Sequence, residues 1–232
     1  MQTLDFFENR SNLNQVVDEA VKALEKGHVL VYPTDTVYGI GCDATRKKPL
    51  ERIKQIKKIE QNRGFSVIVK DLKMAKKYAQ INDDQARVLL KILPGPFTLL
   101  FKAQKDKLPA EVIGNQAKIG IRIADYDLTE AIVGKFNKPI VSTSVNDTGE
   151  KPETWGVEII EKYKNQNFKP DLIIDAGKLG GRSIGNDLKF KKNNQEPRAS
   201  TVIDLSESAY RVVRAGGLDS TQILDLLSGL RS

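Results

Sequence analysis

Cysteine and histidine are nearly absent from this sequence. Its 232 residues include one cysteine, Cys42, and one histidine, His28. A single cysteine excludes an internal disulfide, and with one histidine it argues against a zinc site built from protein side chains. Serine–histidine catalysis is nearly excluded as well, because only His28 could act as the base. What remains is chemistry carried by hydroxyls, amides and fixed charges.

Long apolar runs are also missing. No run approaches the roughly 18 apolar residues of a membrane span, and the N-terminus lacks a basic region followed by an apolar one. We therefore expect a cytoplasmic protein that makes no use of a membrane. With 40% hydrophobic residues the chain can bury a substantial core. We predict a single domain over residues 1–232, with its core at about 14–217.

Positive charge exceeds negative charge in the composition. Lysine and arginine total 37 against 30 acidic residues, which gives a formal net charge of +7. Such a balance favours anionic partners such as nucleotides or RNA. Solvated surface lysines are the commoner explanation of a mildly basic chain, so both interpretations stay open.

Segments of helical and strand periodicity alternate along the chain. Helices are predicted at 16–24, 50–59, 73–79, 83–93, 128–136, 154–163 and 220–230, and strands at 28–32, 65–69, 97–102, 118–123, 139–143, 171–175, 200–205 and 210–214. The link between the last two strands is too short for a helical crossover, so they should pair antiparallel unless they lie apart in the sheet. The prediction is an α/β fold with an open, twisted, mixed parallel and antiparallel sheet and helices on its faces.

The stretch 31–41, VYPTDTVYGIG, is richer in hydroxyls than a strand-to-loop junction requires. Pro33 ends the apolar strand. Thr34, Asp35 and Thr36 then supply donors and acceptors for a small polar ligand, and the glycines allow a close approach of the backbone. The alternative is a turn punctuated by proline and glycine after a core strand.

Further polar clusters stand at predicted strand ends, where open α/β sheets place their ligand sites. Arg122 lies within the apolar strand 118–123, which is costly unless the guanidinium binds a carboxylate or phosphate. The alternative is a salt bridge to a nearby acidic residue. The segment 177–199 contains four glycines and six basic residues and is too long for a tight connection. One interpretation is a mobile solvated loop. The other is a functional loop that contacts nucleic acid or covers the active site.

These clusters follow one another in an order that resembles the YrdC-like family of threonylcarbamoyl-AMP synthases, from about Val16 to Gly216. The motifs are YPTDTVYG from Tyr32, LPGPFT from Leu93, IGIR from Ile119, STSVN from Ser142, STVID from Ser200 and VRAG from Val213. The resemblance implies an open α/β fold with a basic concave cavity. It also implies an enzyme that joins L-threonine, bicarbonate and ATP into threonylcarbamoyl-adenylate and pyrophosphate, for modification of tRNA.

The resemblance also implies roles for individual residues. Threonine would be held by Thr36, Arg122 and Ser200, and the nucleotide by Lys57, Arg63, Ser144, Asn146 and Arg214. No catalytic base is identified, because the amine of threonine and bicarbonate are already nucleophiles and orientation can lower the barrier. Mg²⁺ would arrive with ATP, held by the phosphates and not by a protein metal site. Transfer RNA or double-stranded RNA is a further class of partner.

Two departures from the family pattern leave rival functions open. Ile59 replaces the arginine of the usual Lys-x-Arg-Pro motif, and the run Phe65-Ser66-Val67 looks more like the YciO-like branch. One rival is therefore a YciO-like relative that binds nucleotide or RNA without efficient synthesis. The other is an RNA-binding module that docks through the basic cavity and the segment 178–198.

Overall fold

The computed structural model describes residues 1–6, 12–59, 64–147, 150–180, 197–207 and 209–216. The predicted helix at 220–230, residue Arg63 and the greater part of the segment 177–199 lie outside the described residues. Within the described ranges no helix is long and apolar enough to cross a membrane.

The strands in this part of the chain are β1 Gln2–Asp5, β2 Leu30–Tyr32, β3 Gly39–Gly41, β4 Ser66–Ile68, β5 Ala79–Gln80, β6 Phe97–Ala103, β7 Lys118–Arg122, β8 Ile140–Ser144, β9 Leu172–Asp175, β10 Thr201–Asp204 and β11 Arg211–Arg214. The helices are α1 Leu13–Glu25, α2 Lys47–Ile56, α3 Leu72–Tyr78, α4 Asp83–Ile92, α5 Ala110–Ile113, α6 Asp127–Phe136 and α7 Gly156–Lys164.

The described strands form one mixed sheet in the order β1-β9-β2-β3-β8-β4-β7-β6-β10-β11, and β5 pairs with β6. Four pairs along this path are parallel: β1 with β9, β9 with β2, β4 with β7, and β6 with β10. The predicted α/β class and mixed sheet are therefore confirmed. The last two strands pair antiparallel, as their short link predicts.

The hydrophobic pattern of α1 shows how the core is built. Val16, Val17, Ala20, Val21 and Leu24 recur at helical spacing, and all of them are buried. They turn toward β2 and β9 and toward α6, which α1 packs against. The predicted helix is therefore present, although the Asn12 side chain does not cap it.

The structure also contains elements that the periodicity does not predict, and β3 is the one that matters for the site. Its sequence Gly-Ile-Gly reads as loop, yet it pairs with β2 on one side and β8 on the other. A Cβ at Gly41 would lie 1.8 Å from the Val141 carbonyl oxygen, and one at Gly39 would lie 3.2 Å from the Tyr32 ring. Because they lack a Cβ, Gly41 lets strand β8 approach closely and Gly39 leaves space for the Tyr32 ring.

Candidate functional site

A cleft of about 160 Å³ opens where several strands end on one side of the sheet. Its walls come from segments far apart in the sequence, because the mixed sheet brings the ends of β2, β7, β8 and β11 together with the starts of β3, β4, β6 and β10. The described residues that line it are Thr34, Val37, Tyr38, Gly39, Gly64, Phe65, Ser66, Thr98, Arg122, Ser142, Thr143, Ser144, Ala199, Ser200 and Arg214.

The turn after Pro33 forms one wall and is held by its own hydroxyls. The Thr34 hydroxyl donates to the Val37 carbonyl at 2.7 Å and accepts the Thr36 backbone N–H at 3.2 Å. The hydroxyls of Thr34 and Thr36 lie 3.0 Å apart. Both threonines are buried, and of the two only Thr34 is among the residues that line the cleft. Turn formation and site formation, which the sequence left as alternatives, are therefore combined in this segment.

Arg122 forms the salt bridge that the sequence offered as one alternative, and it also lines the cleft. One of its terminal nitrogens donates to Asp35 Oδ1 at 2.8 Å and to the Thr36 hydroxyl at 3.1 Å. Both side chains of the ion pair are buried, with 8% and 5% of their surface exposed. The ion pair is made through a single hydrogen bond. Arg122 Nε and Asp35 Oδ2 are buried without a hydrogen-bond partner among the described residues.

Arg214 brings a second guanidinium to the same cleft. Its Nε and one terminal nitrogen donate to the Ser200 carbonyl at 3.2 and 2.9 Å, and the terminal nitrogen also donates to the Ser200 hydroxyl at 3.2 Å. Ser200 in turn shares a hydrogen bond of 2.7 Å with the Thr98 hydroxyl. Burial, and then the positive charge of Arg122, lower the pKa of Arg214. No acidic side chain in the described ranges forms an ion pair with Arg214.

Lys57 does not line the cleft but binds the end of β8 and the turn that follows it. It is buried at 5% exposure, and its ammonium donates to the backbone carbonyls of Ser144 and Asn146. Asn146 accepts from the Ser144 hydroxyl and donates to the carbonyls of Asp147 and Glu150, so the turn after β8 is tied together. Desolvation lowers the pKa of Lys57 to about 8, with the nearby charges of Asp147 and Glu150 opposing the shift and that of Lys162 adding to it.

The predicted site residues therefore fall into three groups. Four of them line the cleft: Arg122, Ser144, Ser200 and Arg214. Three contact the residues of its walls without lining it themselves: Thr36, Lys57 and Asn146. Arg63 lies outside the described residues.

Six further hydroxyl residues line the cleft without having been given a substrate role from the sequence, although Thr34 was named in the hydroxyl-rich stretch: Thr34, Tyr38, Ser66, Thr98, Ser142 and Thr143. A signal existed for most of them, because a hydroxyl stands at the end of an apolar strand or at an inward position of it. Strand periodicity alone does not say which inward positions face a cleft and which face the core.

The charges of the lining favour an anion. Arg122 and Arg214 are its charged members, and no carboxylate is among the lining residues of the described chain. The described residues also contain no group of three or more His, Cys, Asp or Glu side chains that could hold a metal ion.

A family model for the Sua5/YciO/YrdC domain, described as telomere recombination, matches residues 22–216. The chain is 31% identical over 181 residues to the threonylcarbamoyl-AMP synthase of Photobacterium profundum, a match that covers 77% of this chain and 93% of the relative. It is 30% identical over 204 residues to the uncharacterized protein YciO of Escherichia coli K12, covering 87% of this chain and 89% of the relative.

Among solved structures, the chain is similar to Pyrococcus abyssi Sua5 complexed with L-threonine, with a TM-score of 0.80 at 22% identity. That similarity covers 97% of this chain and 60% of the Pyrococcus protein, so the chain spans less than two thirds of it. At this identity the likeness shows the fold alone.

Proposed function

The chain belongs to the Sua5/YciO/YrdC family, which includes transferase-type enzymes named threonylcarbamoyl-AMP synthases, and on that premise we propose that it is such a synthase. The proposed reaction joins L-threonine, bicarbonate and ATP. The threonine amine attacks bicarbonate and forms a carbamate with loss of water; a carbamate oxygen then attacks the α-phosphate of ATP, and pyrophosphate leaves. The product would be threonylcarbamoyl-adenylate, for the modification of tRNA.

The presence of two guanidiniums in one small cleft carries this proposal. Arg122 and Arg214 both line it. No acidic residue among the described lining residues neutralises Arg214, and Asp35 accepts a hydrogen bond from only one nitrogen of Arg122. Guanidinium groups bind carboxylates and phosphates through paired hydrogen bonds. The substrates of the proposed reaction carry one carboxylate and three phosphates, and the intermediate carries a carbamate.

The other cleft residues would orient these anions. Thr34 and Ser144 donate their hydroxyl protons to the Val37 carbonyl and to Asn146 Oδ1, so they shape the wall of the cleft. The Ser200 hydroxyl can donate to a phosphate or carboxylate oxygen while it accepts from Thr98. Orientation and positive charge near the leaving pyrophosphate would supply the rate enhancement, since both nucleophiles react without a strong base. Mg²⁺ bound to the phosphates would neutralise part of their charge.

One observation favours a second candidate, a YciO-like relative that binds nucleotide or RNA without efficient synthesis. The ammonium of Lys57 is occupied by two backbone carbonyls and does not line the cleft, and Ile59 packs partly buried against the core. Two positions of the family's basic motif therefore offer no phosphate contact in this conformation. The relative named YciO matches this chain about as well as the named synthase does.

Pyrophosphate release tests the proposal. The protein is mixed with ATP, Mg²⁺, bicarbonate and L-threonine, and each component is omitted in turn. A synthase releases pyrophosphate only from the complete mixture, and forms threonylcarbamoyl-adenylate in equal amount. Release without threonine would indicate another nucleotide-cleaving activity. No release, together with nucleotide binding in calorimetry, would favour the second candidate.

A further inference from the structure

Two residues of the cleft belong to the antiparallel hairpin of β10 and β11. Ser200 immediately precedes β10, and Arg214 ends β11. Among the described strands, β10 pairs with β6 and β11, and β11 pairs with β10 alone. The hairpin is therefore joined to the sheet through one strand, β6, whereas Arg122 lies on the next strand beyond it, β7.

An ion pair joins this hairpin to β7 across the intervening strand. The Lys118 ammonium, at the start of β7, donates to Asp204 Oδ2, at the end of β10, over 2.8 Å. Because β6 lies between β7 and β10, the contact spans two inter-strand spacings, about 10 Å. Lys118 and Arg122 are four residues apart in β7, so they project to the same face of the sheet. We call the contact between Lys118 and Asp204 the cross-strand pair.

The Asp204 carboxylate of this pair is buried and charged. Its side chain is 4% exposed, and Oδ1 accepts the Ser206 backbone N–H at 2.9 Å and the Ser206 hydroxyl at 2.6 Å. Burial raises the pKa of Asp204, but the hydrogen bonds from Lys118 and Ser206 outweigh it and lower the pKa to about 2. Arg211 adds only a long contact of 3.6 Å from a side chain that is 72% exposed. Lys118 is therefore the principal cation that Asp204 binds within the described chain.

The cleft itself places two positive charges on opposite sides of β6. Burial, and then the charge of Arg122, lower the pKa of Arg214, so the two guanidiniums repel each other. A ladder of hydrogen bonds fixes the spacing of two strands but leaves the angle between them variable, as the range of sheet twist shows. Repulsion across β6 therefore favours a hairpin tilted away from β7. The cross-strand pair opposes this tilt, because it attracts the same two sides toward each other on the same face.

We propose that Lys118 and Asp204 are positioning residues for the cleft, and that their ion pair holds the hairpin at the angle that lets Arg214 reach an anion bound there. Neither residue is among those that line the cleft, so both act through Arg214. The inference rests on the proposed function only for the identity of the anion, which is ATP.

Calorimetry with ATP and Mg²⁺ tests this assignment in a double-mutant cycle. Lys118→Met removes the ion pair and should weaken ATP binding by roughly tenfold, a part of what a charged hydrogen bond contributes. In the Arg214→Ala background the same substitution should change the affinity by less than about twofold, because the residue that it positions is gone. Lys118→Arg should restore most of the affinity. Lys102→Met is the control, since it removes an exposed positive charge from the residue of β6 that pairs with Lys118.

Hydrogen exchange supplies a second measurement that needs no ligand. The Gly216 amide donates to Thr201 Oγ1, and the Thr201 amide donates to the Pro96 carbonyl, so both report on the cleft end of the hairpin. Lys118→Met should speed the exchange of these two amides by roughly tenfold. The Ile173 amide of β9, on the other side of the sheet, should exchange as in wild type.

The outcomes separate this inference from the proposed function. Equal losses of ATP affinity from Lys118→Met in the two backgrounds would indicate a general effect of charge or stability and would overturn the inference, as would unchanged affinity. If wild type binds no ATP, the proposed function fails, and hydrogen exchange decides the inference: unchanged protection of Thr201 and Gly216 overturns it. If Lys118→Met does not fold, Lys118→Gln takes its place in both measurements, because it keeps a donor near Asp204 without the charge.

Discussion

Arg122 and Asp35 form a buried ion pair through a single hydrogen bond of 2.8 Å, and each keeps one buried polar atom without a partner among the described residues. Sequence alone offered a ligand contact or a salt bridge for Arg122, and the residue makes the salt bridge while lining the cleft. The pair is therefore a structural contact, one member of which, Arg122, lines the cleft.

This pairing changes what removal of Arg122 should do. Arg122→Ala leaves Asp35 buried and unpaired, so we expect it to destabilise the fold by about 3–5 kcal/mol in urea unfolding. Replacing both partners, with Asp35→Asn and Arg122→Met, should recover a large part of that loss. Arg87→Ala breaks an exposed ion pair with Asp84 and should cost at most about 1 kcal/mol. Equal stability of Arg122→Ala and wild type would contradict the prediction.

Arg214 should contribute to ligand binding and little to stability. Its side chain is partly covered, and its described hydrogen bonds go to Ser200, so Arg214→Ala should leave the melting temperature nearly unchanged. ATP affinity should fall by about 1.5–3 kcal/mol, the contribution of a charged hydrogen bond. Arg211→Ala, in the same strand but outside the cleft lining, is the matched control for loss of one positive charge. Equal losses in the two variants would mean that only net charge matters.

The two threonines of the turn should behave differently. Thr34→Val removes the bonds to the Val37 carbonyl and the Thr36 N–H, so it should lower stability by about 1–3 kcal/mol. Thr36→Val removes one contact to Arg122 and should cost less in thermal unfolding while shifting threonine affinity through Arg122. A larger stability loss from Thr36→Val would show that the bond to Arg122 outweighs the turn.

Lys57 should make stability depend on pH. Burial lowers its pKa to about 8 from 10.5, so between these values the unfolded chain binds more protons than the folded one. The free energy of unfolding of wild type should therefore rise with pH across this window, relative to Lys57→Met, by at most about 3 kcal/mol. Urea unfolding of both proteins from pH 7 to 10.5 measures it. Parallel curves would mean that the Lys57 pKa is ordinary in the folded state.

Ile59→Arg tests whether the missing family arginine limits activity. A synthase that lacks one phosphate contact should gain ATP affinity or turnover, at most about 1.5–3 kcal/mol for a well-placed charged hydrogen bond, less the packing that Ile59 loses. Val157→Arg adds the same charge at an exposed position of α7 and should have no effect. Inactivity of wild type and Ile59→Arg alike in pyrophosphate release would support the YciO-like candidate.

Periodicity predicted the fold better than the site. Helix α1 and strand β7 follow from their apolar spacing, and the antiparallel pair β10 and β11 follows from a short link. Strand β3 was read as loop because its two glycines signal a turn, whereas their small size serves close packing against Tyr32 and Val141. Such packing depends on a partner strand about 100 residues away, which local pattern does not contain.

The site was predictable as a set of polar strand ends, and the orientation of each side chain was not. Arg122 and Ser144, to which the family resemblance gives substrate and nucleotide roles, both line the cleft, and those roles stay predictions. The Lys57 ammonium donates to two backbone carbonyls, and its orientation depends on the conformation of the turn after β8. Likewise, Thr34 lines the cleft and Thr36 does not, and the spacing of the two threonines along the chain does not distinguish them.

The order of strands has a consequence for how the site is assembled during folding. Strands β9 and β10 follow one another along the chain, yet six strands of the described sheet separate them, a distance of about 34 Å at ~4.8 Å per strand. Parallel pairing of β10 with β6 therefore closes a long chain loop, which is the kind of contact that folds slowly. Ser200 and Arg214 reach the cleft only through that pairing. Anion binding should consequently be among the last properties to return in a refolding experiment.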